Sequence, residues 1–91
     1  MTGASARTVT IQNKRGLHAR AAARFVKLAG EFDAEILVSK RDVEVSGLSI
    51  MGLMMLAAGP GCEVEIRASG PAAAAALDAL ARLIEAKFHE E

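Results

Sequence analysis

The sequence predicts an α+β fold, an open-faced β-sandwich in which three helices cover one face of a four-stranded antiparallel sheet (βαββαβα). Its elements follow the order strand, helix, strand, strand, helix, strand, helix. Most of the strands have one apolar and one polar face, so helices are needed on only one side of the sheet. Because the chain has 91 residues and 52% of them are apolar, we expect one domain over residues 1–91.

The first two elements are a strand and a helix. Apolar and polar residues alternate over 7–12, and the Asn13–Gly16 stretch ends this strand as a turn would. A run of strong helix formers, rich in alanine, predicts a helix that begins at Ala19 and stops near Gly30. His18 is therefore expected at or just before the first helical turn.

A hairpin and a short helix come next. Alternating residues over 34–39 and 43–46, with the Lys40–Arg41 turn between them, predict two antiparallel strands. Residues 50–56 are apolar throughout and could form a strand or a helix by hydrophobicity alone. Ser49 as an N-cap and the three methionines of this segment favour a short helix.

The chain closes with a strand and a helix. Residues 63–68 alternate as a fourth strand, and Ser69–Pro71 opens the last helix with proline at its first position, where the missing N–H costs nothing. Polar residues of this helix face water in the predicted arrangement, namely Asp78, Arg82 and Glu85. Its apolar stripe is predicted to comprise Ala73, Ala76, Leu77, Leu80, Ile84 and, at its far end, Phe88.

The stretch Gly16-Leu17-His18-Ala19-Arg20 carries the most chemistry. The first N–H groups of the predicted helix have no partner within it, and with the positive end of the helix dipole they form an anion site next to His18. Arg20 adds a planar guanidinium with several donors. A nucleophilic ring beside a phosphate site suggests phosphoryl transfer, whereas the plainer alternative is a histidine that only caps the helix or lies in solvent.

The zero net charge conceals a polarised chain. The first 30 residues contain six basic side chains and no carboxylate, whereas residues 31–91 contain five basic and eleven acidic ones. In the first helix Arg20, Arg24 and Lys27 recur at i, i+4 and i+7, on one face. We expect this basic face to bind partners, although a solvated helix face is the simpler alternative.

Composition excludes several classes of partner and site. Three Phe, no Trp and no Tyr leave few stacking platforms, so we expect no nucleic-acid partner. Cys62 is the only cysteine, and His18 and His89 have no companions at ligand spacing, so no disulfide, metal or cofactor is predicted. No charged and apolar signal segment opens the chain, and no apolar run approaches the roughly 20 residues that span a membrane. We expect a cytoplasmic monomer without membrane insertion.

Two stretches, Gly16–Arg20 and Ser49–Met54, together with the element order, closely resemble the HPr family over nearly the whole chain. These are phosphocarrier proteins of the bacterial phosphoenolpyruvate-dependent phosphotransferase system. The resemblance implies that His18 accepts a phosphoryl group on Nδ1 from enzyme I and passes it to an enzyme IIA domain, with Arg20 stabilising the phosphate. It also implies that Ser49 is modified by HPr kinase/phosphorylase where that enzyme is present. Such a protein is a carrier rather than an independent enzyme.

The chain departs from the family at two positions. Ala21 stands where the family usually has proline, which adds a backbone donor and some flexibility to the first helical turn. Leu48 stands where many relatives from sugar systems have a basic residue. The sequence therefore leaves the sugar and nitrogen branches of the phosphotransferase network open.

The short helix is predicted to expose part of its apolar sequence beside the His18 loop. Ile50, Met51 and Met54 are the candidate partner-binding residues, since methionine suits a surface that fits several partners in turn; a methionine-filled core is the alternative. A second functional hypothesis is a regulatory module whose phosphorylation at His18 or Ser49 changes its affinity for target proteins without any relay of phosphate.

Overall fold

The computed structural model describes residues 5–90, in which four strands form one antiparallel sheet in the order β1-β4-β2-β3. The strands are β1 (Ser5–Thr10), β2 (Glu35–Lys40), β3 (Val43–Ser46) and β4 (Glu63–Ser69). The helices are α1 (Ala19–Ala29), α2 (Ile50–Met55) and α3 (Ala73–Glu85), and a 3-10 turn covers Lys87–His89. The predicted fold class is confirmed.

The core lies between the helices and one face of the sheet. Val64 of β4 is opposite Val9 of β1, Ile66 is opposite Val38 of β2, and all four side chains are buried. Phe25 of α1 is buried against the same cluster. Because side chains alternate along a strand, the other face of the sheet carries polar residues such as Thr8 of β1 and Ser39 of β2, which both lie opposite Glu65 of β4.

The predicted limits of β1 are wrong by two residues, since the strand covers Ser5–Thr10 rather than 7–12. Its partner β4 begins at Glu63, after a turn in which Gly61 has φ +87°, so regular pairing stops at Thr10. Ile11 nevertheless stays in the core, and its N–H donates to the Cys62 carbonyl at 2.8 Å.

The predicted start of the last helix is also wrong, because α3 begins at Ala73 and Pro71 precedes it. Pro71 occupies the second position of a turn that is closed by the Ala73 N–H donating to the Gly70 carbonyl at 3.2 Å. Proline is favoured there because its fixed φ matches the turn. The N–H of Ala72 donates to the Asp33 carbonyl at 3.0 Å, which fixes the approach to the helix.

The C-terminal segment, residues 87–90, leaves the axis of α3. The helix ends at Glu85, and Lys87, Phe88 and His89 all have left-handed φ angles between 56° and 60°. Phe88 is fully buried, so its predicted place in the core is confirmed, whereas its predicted place on the helix is wrong. The turn brings the end of the chain back towards the start of α1.

Candidate functional site

His18 lies at the N-cap of α1, as the sequence predicts. Its backbone is extended, with φ −75° and ψ 176°, and its carbonyl accepts the Ala22 N–H at 2.8 Å, which begins the helix. The ring nitrogen Nδ1 accepts the backbone N–H of Arg20 at 3.2 Å. The side chain is 22% exposed, so one edge of the ring is accessible. Nδ1 is thus a hydrogen-bond acceptor at the positive end of a helix.

The other ring nitrogen of His18, Nε2, contacts the Glu90 carboxylate through Oε2. The second oxygen, Oε1, accepts from Asn13 Nδ2 at 3.1 Å, and the same amide nitrogen donates to the Gly16 carbonyl at 2.8 Å. Asn13 is buried, and its Oδ1 has no hydrogen-bond partner among residues 5–90. Sequence reasoning did not identify Asn13 or Glu90 as site residues.

The carboxyl group of Glu90 is charged in this setting. Its burial acts to raise its pKa, but the hydrogen bonds from His18 and Asn13 and the electrostatic attraction of the neighbouring His18 and Arg24 side chains outweigh that effect. The pKa of Glu90 consequently lies below its ordinary value. A charged carboxylate therefore faces Nε2 at neutral pH.

A groove of about 530 Å³ opens beside His18. Glu90 lies within a lining that is otherwise dominated by positive charge. The basic side chains that line the groove are Lys14, Arg15, Arg20, Arg24 and Lys87. Such a groove is suited to a small anion held next to Nδ1.

The basic face of α1 is only partly open to solvent. Arg20 and Lys27 are exposed, whereas Arg24 is half-buried and its guanidinium donates to the Phe88 carbonyl. Arg24 therefore contacts the C-terminal segment, which leaves Arg20 and Lys27 as the basic side chains of this face that a partner can reach.

Ser49 is the N-cap of α2, as the sequence predicts. Its Oγ accepts the Gly52 N–H at 2.9 Å. Ile50, Met51 and Met54 lie at the surface, with exposed fractions of 40%, 70% and 40%. The helix packs against α1, which carries Arg20 and Lys27. These methionines therefore form a surface and do not fill the core.

Comparison with known proteins decides the family. Residues 5–86 match the family described as the PTS HPr component phosphorylation site. The chain belongs to the HPr family. The match spans His18, Arg20 and Ser49, and so contains both stretches on which the resemblance rests.

Individual members of the HPr family are similar over almost their full length. The phosphocarrier protein NPr of Shewanella violacea is 49% identical over 84 residues, covering 92% of each chain. The phosphocarrier protein HPr of Pseudomonas putida is 50% identical over 86 residues, covering 93% of this chain and 96% of the relative. The crystal structure of HPr-C-His from Thermoanaerobacter tengcongensis superposes with a TM-score of 0.91 at 45% identity, covering 96% and 98% of the two chains.

The structure shows what alanine supplies where the HPr family usually has proline. Ala21 is buried in the first turn of α1, directly after Arg20. Unlike proline it carries an N–H group, and a first-turn N–H has no acceptor within its own helix. The first turn of α1 in this HPr-family chain therefore has one more backbone N–H than it would have with proline at this position.

Residues 5–90 of this HPr-family chain contain neither a candidate metal-binding cluster nor a candidate membrane-spanning helix. Over residues 5–90, no group of three or more His, Cys, Asp or Glu side chains is placed to hold a metal ion. No helix within the same residues is long and apolar enough to cross a membrane.

The loop before His18 depends on a glycine, and this dependence leads to a first prediction. Gly16 has φ +65°, and a Cβ at this position would lie 2.2 Å from the Ala58 carbonyl oxygen, which also accepts the Leu17 N–H. We expect Gly16→Ala to lower the free energy of unfolding by about 1–2 kcal/mol from the left-handed conformation and by more from the overlap. Urea unfolding measures the loss.

Gly59→Ala is the matched control for Gly16→Ala. An added Cβ on Gly59 would meet no atom within 4 Å, and the residue does not have a left-handed φ. Its free energy of unfolding should stay close to that of the wild type. Equal destabilisation by the two substitutions would contradict the close approach of Gly16 to the 58–59 backbone.

Proposed function

We propose that His18 accepts a phosphoryl group on Nδ1 from phosphorylated enzyme I and passes it to an enzyme IIA domain. The observation that carries this proposal is the position of Nδ1, which accepts a backbone N–H at the start of α1 beside a basic groove. A ring nitrogen that accepts an N–H holds a lone pair rather than a proton. The lone pair is the nucleophile that a phosphoryl carrier needs.

The transfer requires positioning and charge more than covalent chemistry from the protein. The Nδ1–P bond forms as the bond between phosphorus and the donor atom of enzyme I breaks. The N–H groups in the first turn of α1 and the exposed Arg20 then stabilise the phosphate oxygens. The same step in reverse gives the group to enzyme IIA, so the protein acts as a carrier and its partners supply the rest of each reaction centre.

Partner docking uses the surface formed by α2 and the open part of the basic face. The exposed Ile50, Met51 and Met54 offer flexible apolar contacts, and Arg20 and Lys27 offer positive charge. A partner that is apolar at its centre and acidic at its rim fits this surface. Both known partner classes of the family, enzyme I and enzyme IIA, would meet the same surface in turn.

Ser49 is proposed as the regulatory site that an HPr kinase/phosphorylase modifies. Its hydroxyl caps α2 at the edge of the apolar surface, so a phosphate added there changes the charge of the docking surface without breaking a core contact.

The test of this function is reconstitution of the relay. The chain is incubated with phosphoenolpyruvate and enzyme I, and then with a sugar-type or a nitrogen-type IIA protein in separate reactions. We expect acid-labile phosphate on this chain and onward transfer to at least one IIA protein, which assigns the branch. Labelling without onward transfer would indicate a regulatory binding module that changes its affinity for target proteins, and no labelling would refute the proposal.

A second prediction concerns electrostatic steering by α1. If the basic face attracts acidic partners, the rate of phosphoryl transfer from enzyme I should fall severalfold as salt rises, because screening shortens the reach of charges to about 10 Å at 0.1 M. Lys27→Gln should weaken this salt dependence, since Lys27 is exposed on the steering face. Arg82→Gln removes one exposed positive charge from α3, outside the groove, and serves as the control. A transfer rate that does not depend on salt would refute steering.

A further inference from the structure

All of the methionines after Met1 lie in α2, and all three are open to solvent. The exposed fraction is 70% for Met51, 75% for Met55 and 40% for Met54. We propose that Met51 and Met55 form a modification site for peroxide, which oxidises them to methionine sulfoxide and so weakens partner docking until a reductase removes the oxygen. This inference rests on the proposed function, which assigns docking to this surface.

The two methionines lie on the outer side of a helix whose inner side is fixed. Met51 and Met55 are four residues apart, so their side chains are neighbours on the surface of α2. Leu53, between them, is fully buried. The rate of methionine oxidation follows exposure, so Met51 and Met55 should react before the less exposed Met54.

The oxidation is a balanced transfer of one oxygen atom. A lone pair of the methionine Sδ attacks one oxygen of hydrogen peroxide, the O–O bond breaks and an S–O bond forms. The second oxygen leaves as water with both peroxide protons. Sulfur loses two electrons and the peroxide gains them. Sulfoxide reductases, one for each epimer, reverse the change at the expense of two thiols, which become a disulfide while the oxygen leaves as water.

Sulfoxides at these positions oppose docking by their polarity. The thioether of methionine is apolar and flexible, whereas methionine sulfoxide is polar and chiral. Its oxygen binds water that has to be removed when a partner docks, and the apolar centre of a partner offers no donor in exchange. The nucleophile is elsewhere, because His18 lies at the start of α1. Oxidation should therefore weaken binding without changing the transfer step itself.

The fold does not depend on the exposed methionines. Leu53 and Leu56 are the buried side chains that anchor α2 and the residue after it. Ser49 caps the N-terminus of the helix. Beyond its C-terminus, Lys40 Nζ donates to the carbonyls of Leu56 and Ala57, each at 3.2 Å. Because these contacts do not involve a methionine side chain, the oxidised chain should melt close to the temperature of the reduced one.

The proposal is tested by oxidising the wild-type chain with hydrogen peroxide, removing the peroxide and then adding enzyme I and phosphoenolpyruvate. Peptide mass mapping assigns each added oxygen to its methionine, Met1 included. We expect sulfoxide at Met51 and Met55 first, and a half-saturating concentration for phosphoryl acceptance that rises on the order of tenfold. The maximal rate should stay the same, and treatment with both sulfoxide reductases and a thiol should restore the original value.

The double variant Met51→Leu, Met55→Leu and the single variant Met54→Leu are the matched comparison. Leucine is close to methionine in volume and has no sulfur to oxidise. Each variant is compared with its own untreated sample, so the ratio of the two half-saturating concentrations reports oxidation alone. The double variant should lose most of the response, whereas Met54→Leu should keep it. Repeating the series with Cys62→Ala removes the half-buried thiol as a second target.

The outcomes separate this inference from the proposed function. An unchanged half-saturating concentration in wild-type chain that carries both sulfoxides would overturn the oxidation site, and so would an equal response in the double leucine variant. A loss of docking that comes with unfolding, or that the reductases do not reverse, would overturn it as well. Failure of the untreated wild-type chain to accept phosphate at His18 would overturn the proposed function, and this inference with it.

Discussion

Replacing His18 by alanine is expected to abolish acid-labile phosphorylation by enzyme I and phosphoenolpyruvate. Nδ1 of His18 is the ring nitrogen that combines a lone pair, a first-turn N–H and a basic groove, and alanine supplies no nucleophile in its place. The fold should persist, because the side chain is partly exposed and the lost cap costs only about 1 kcal/mol. Labelling followed by acid treatment measures the first effect, and thermal unfolding measures the second.

His89→Ala is the matched control for His18→Ala. His89 also lines the groove, but it is exposed in the 3-10 turn and caps no helix. We expect this variant to label like the wild type. Retained labelling in His18→Ala together with lost labelling in His89→Ala would move the acceptor to the C-terminal segment and refute the central assignment.

Local signals in the sequence are sufficient to place both chemically important helix starts. His18 precedes an alanine-rich run and Ser49 precedes a short apolar one, and both caps bond to an N–H only two or three residues away. Short-range capping chemistry is readable from sequence because the donor and the acceptor lie within one turn. The alternating strands are equally local, which explains why the predicted fold class holds.

The C-terminal half of the site could not be predicted in this way. The contact between Glu90 and His18 joins residues 72 positions apart, and no local pattern specifies it. The spacing of Phe88 fits the stripe of α3, so periodicity alone extends the helix too far. The left-handed turn at 87–89 contains no glycine, so the sequence has no signal that predicts it. Burial of Phe88 overrides the preference of these residues for a right-handed backbone. Sequence reasoning placed Arg24 on an open basic face that binds partners, whereas the structure shows its guanidinium bonded to this segment.

The start of α3 is another feature that the local sequence alone does not determine. Pro71 suits both the first position of a helix and the second position of a turn. The choice between them depends on the Asp33 carbonyl, which accepts the Ala72 N–H from another part of the chain. Local chemistry narrows such a boundary to a few residues, and tertiary contacts decide it.

Substitution of Ser49 by aspartate is expected to slow phosphoryl acceptance at His18 by on the order of tenfold or more while the fold is preserved. Aspartate is as good an N-cap as serine, so the bond to the Gly52 N–H can be kept and the melting temperature should change little. The new charge lies beside the exposed Ile50 and Met51 and must lose water when a partner docks there. The loss should therefore appear as weaker binding of enzyme I, measured as a higher half-saturating concentration in transfer assays.

Ser49→Asn separates the charge at this position from its shape. Asparagine matches aspartate in size and also caps helices, but it carries no charge to desolvate. We expect Ser49→Asn to accept phosphate at nearly the wild-type rate, and Ser49→Ala to do so with a slightly less stable α2. Because aspartate carries one negative charge where a phosphate carries nearly two, phosphorylated Ser49 should weaken enzyme I binding more than Ser49→Asp does. Wild-type kinetics in Ser49→Asp, or an equal loss in Ser49→Asn, would show that charge at Ser49 does not control docking.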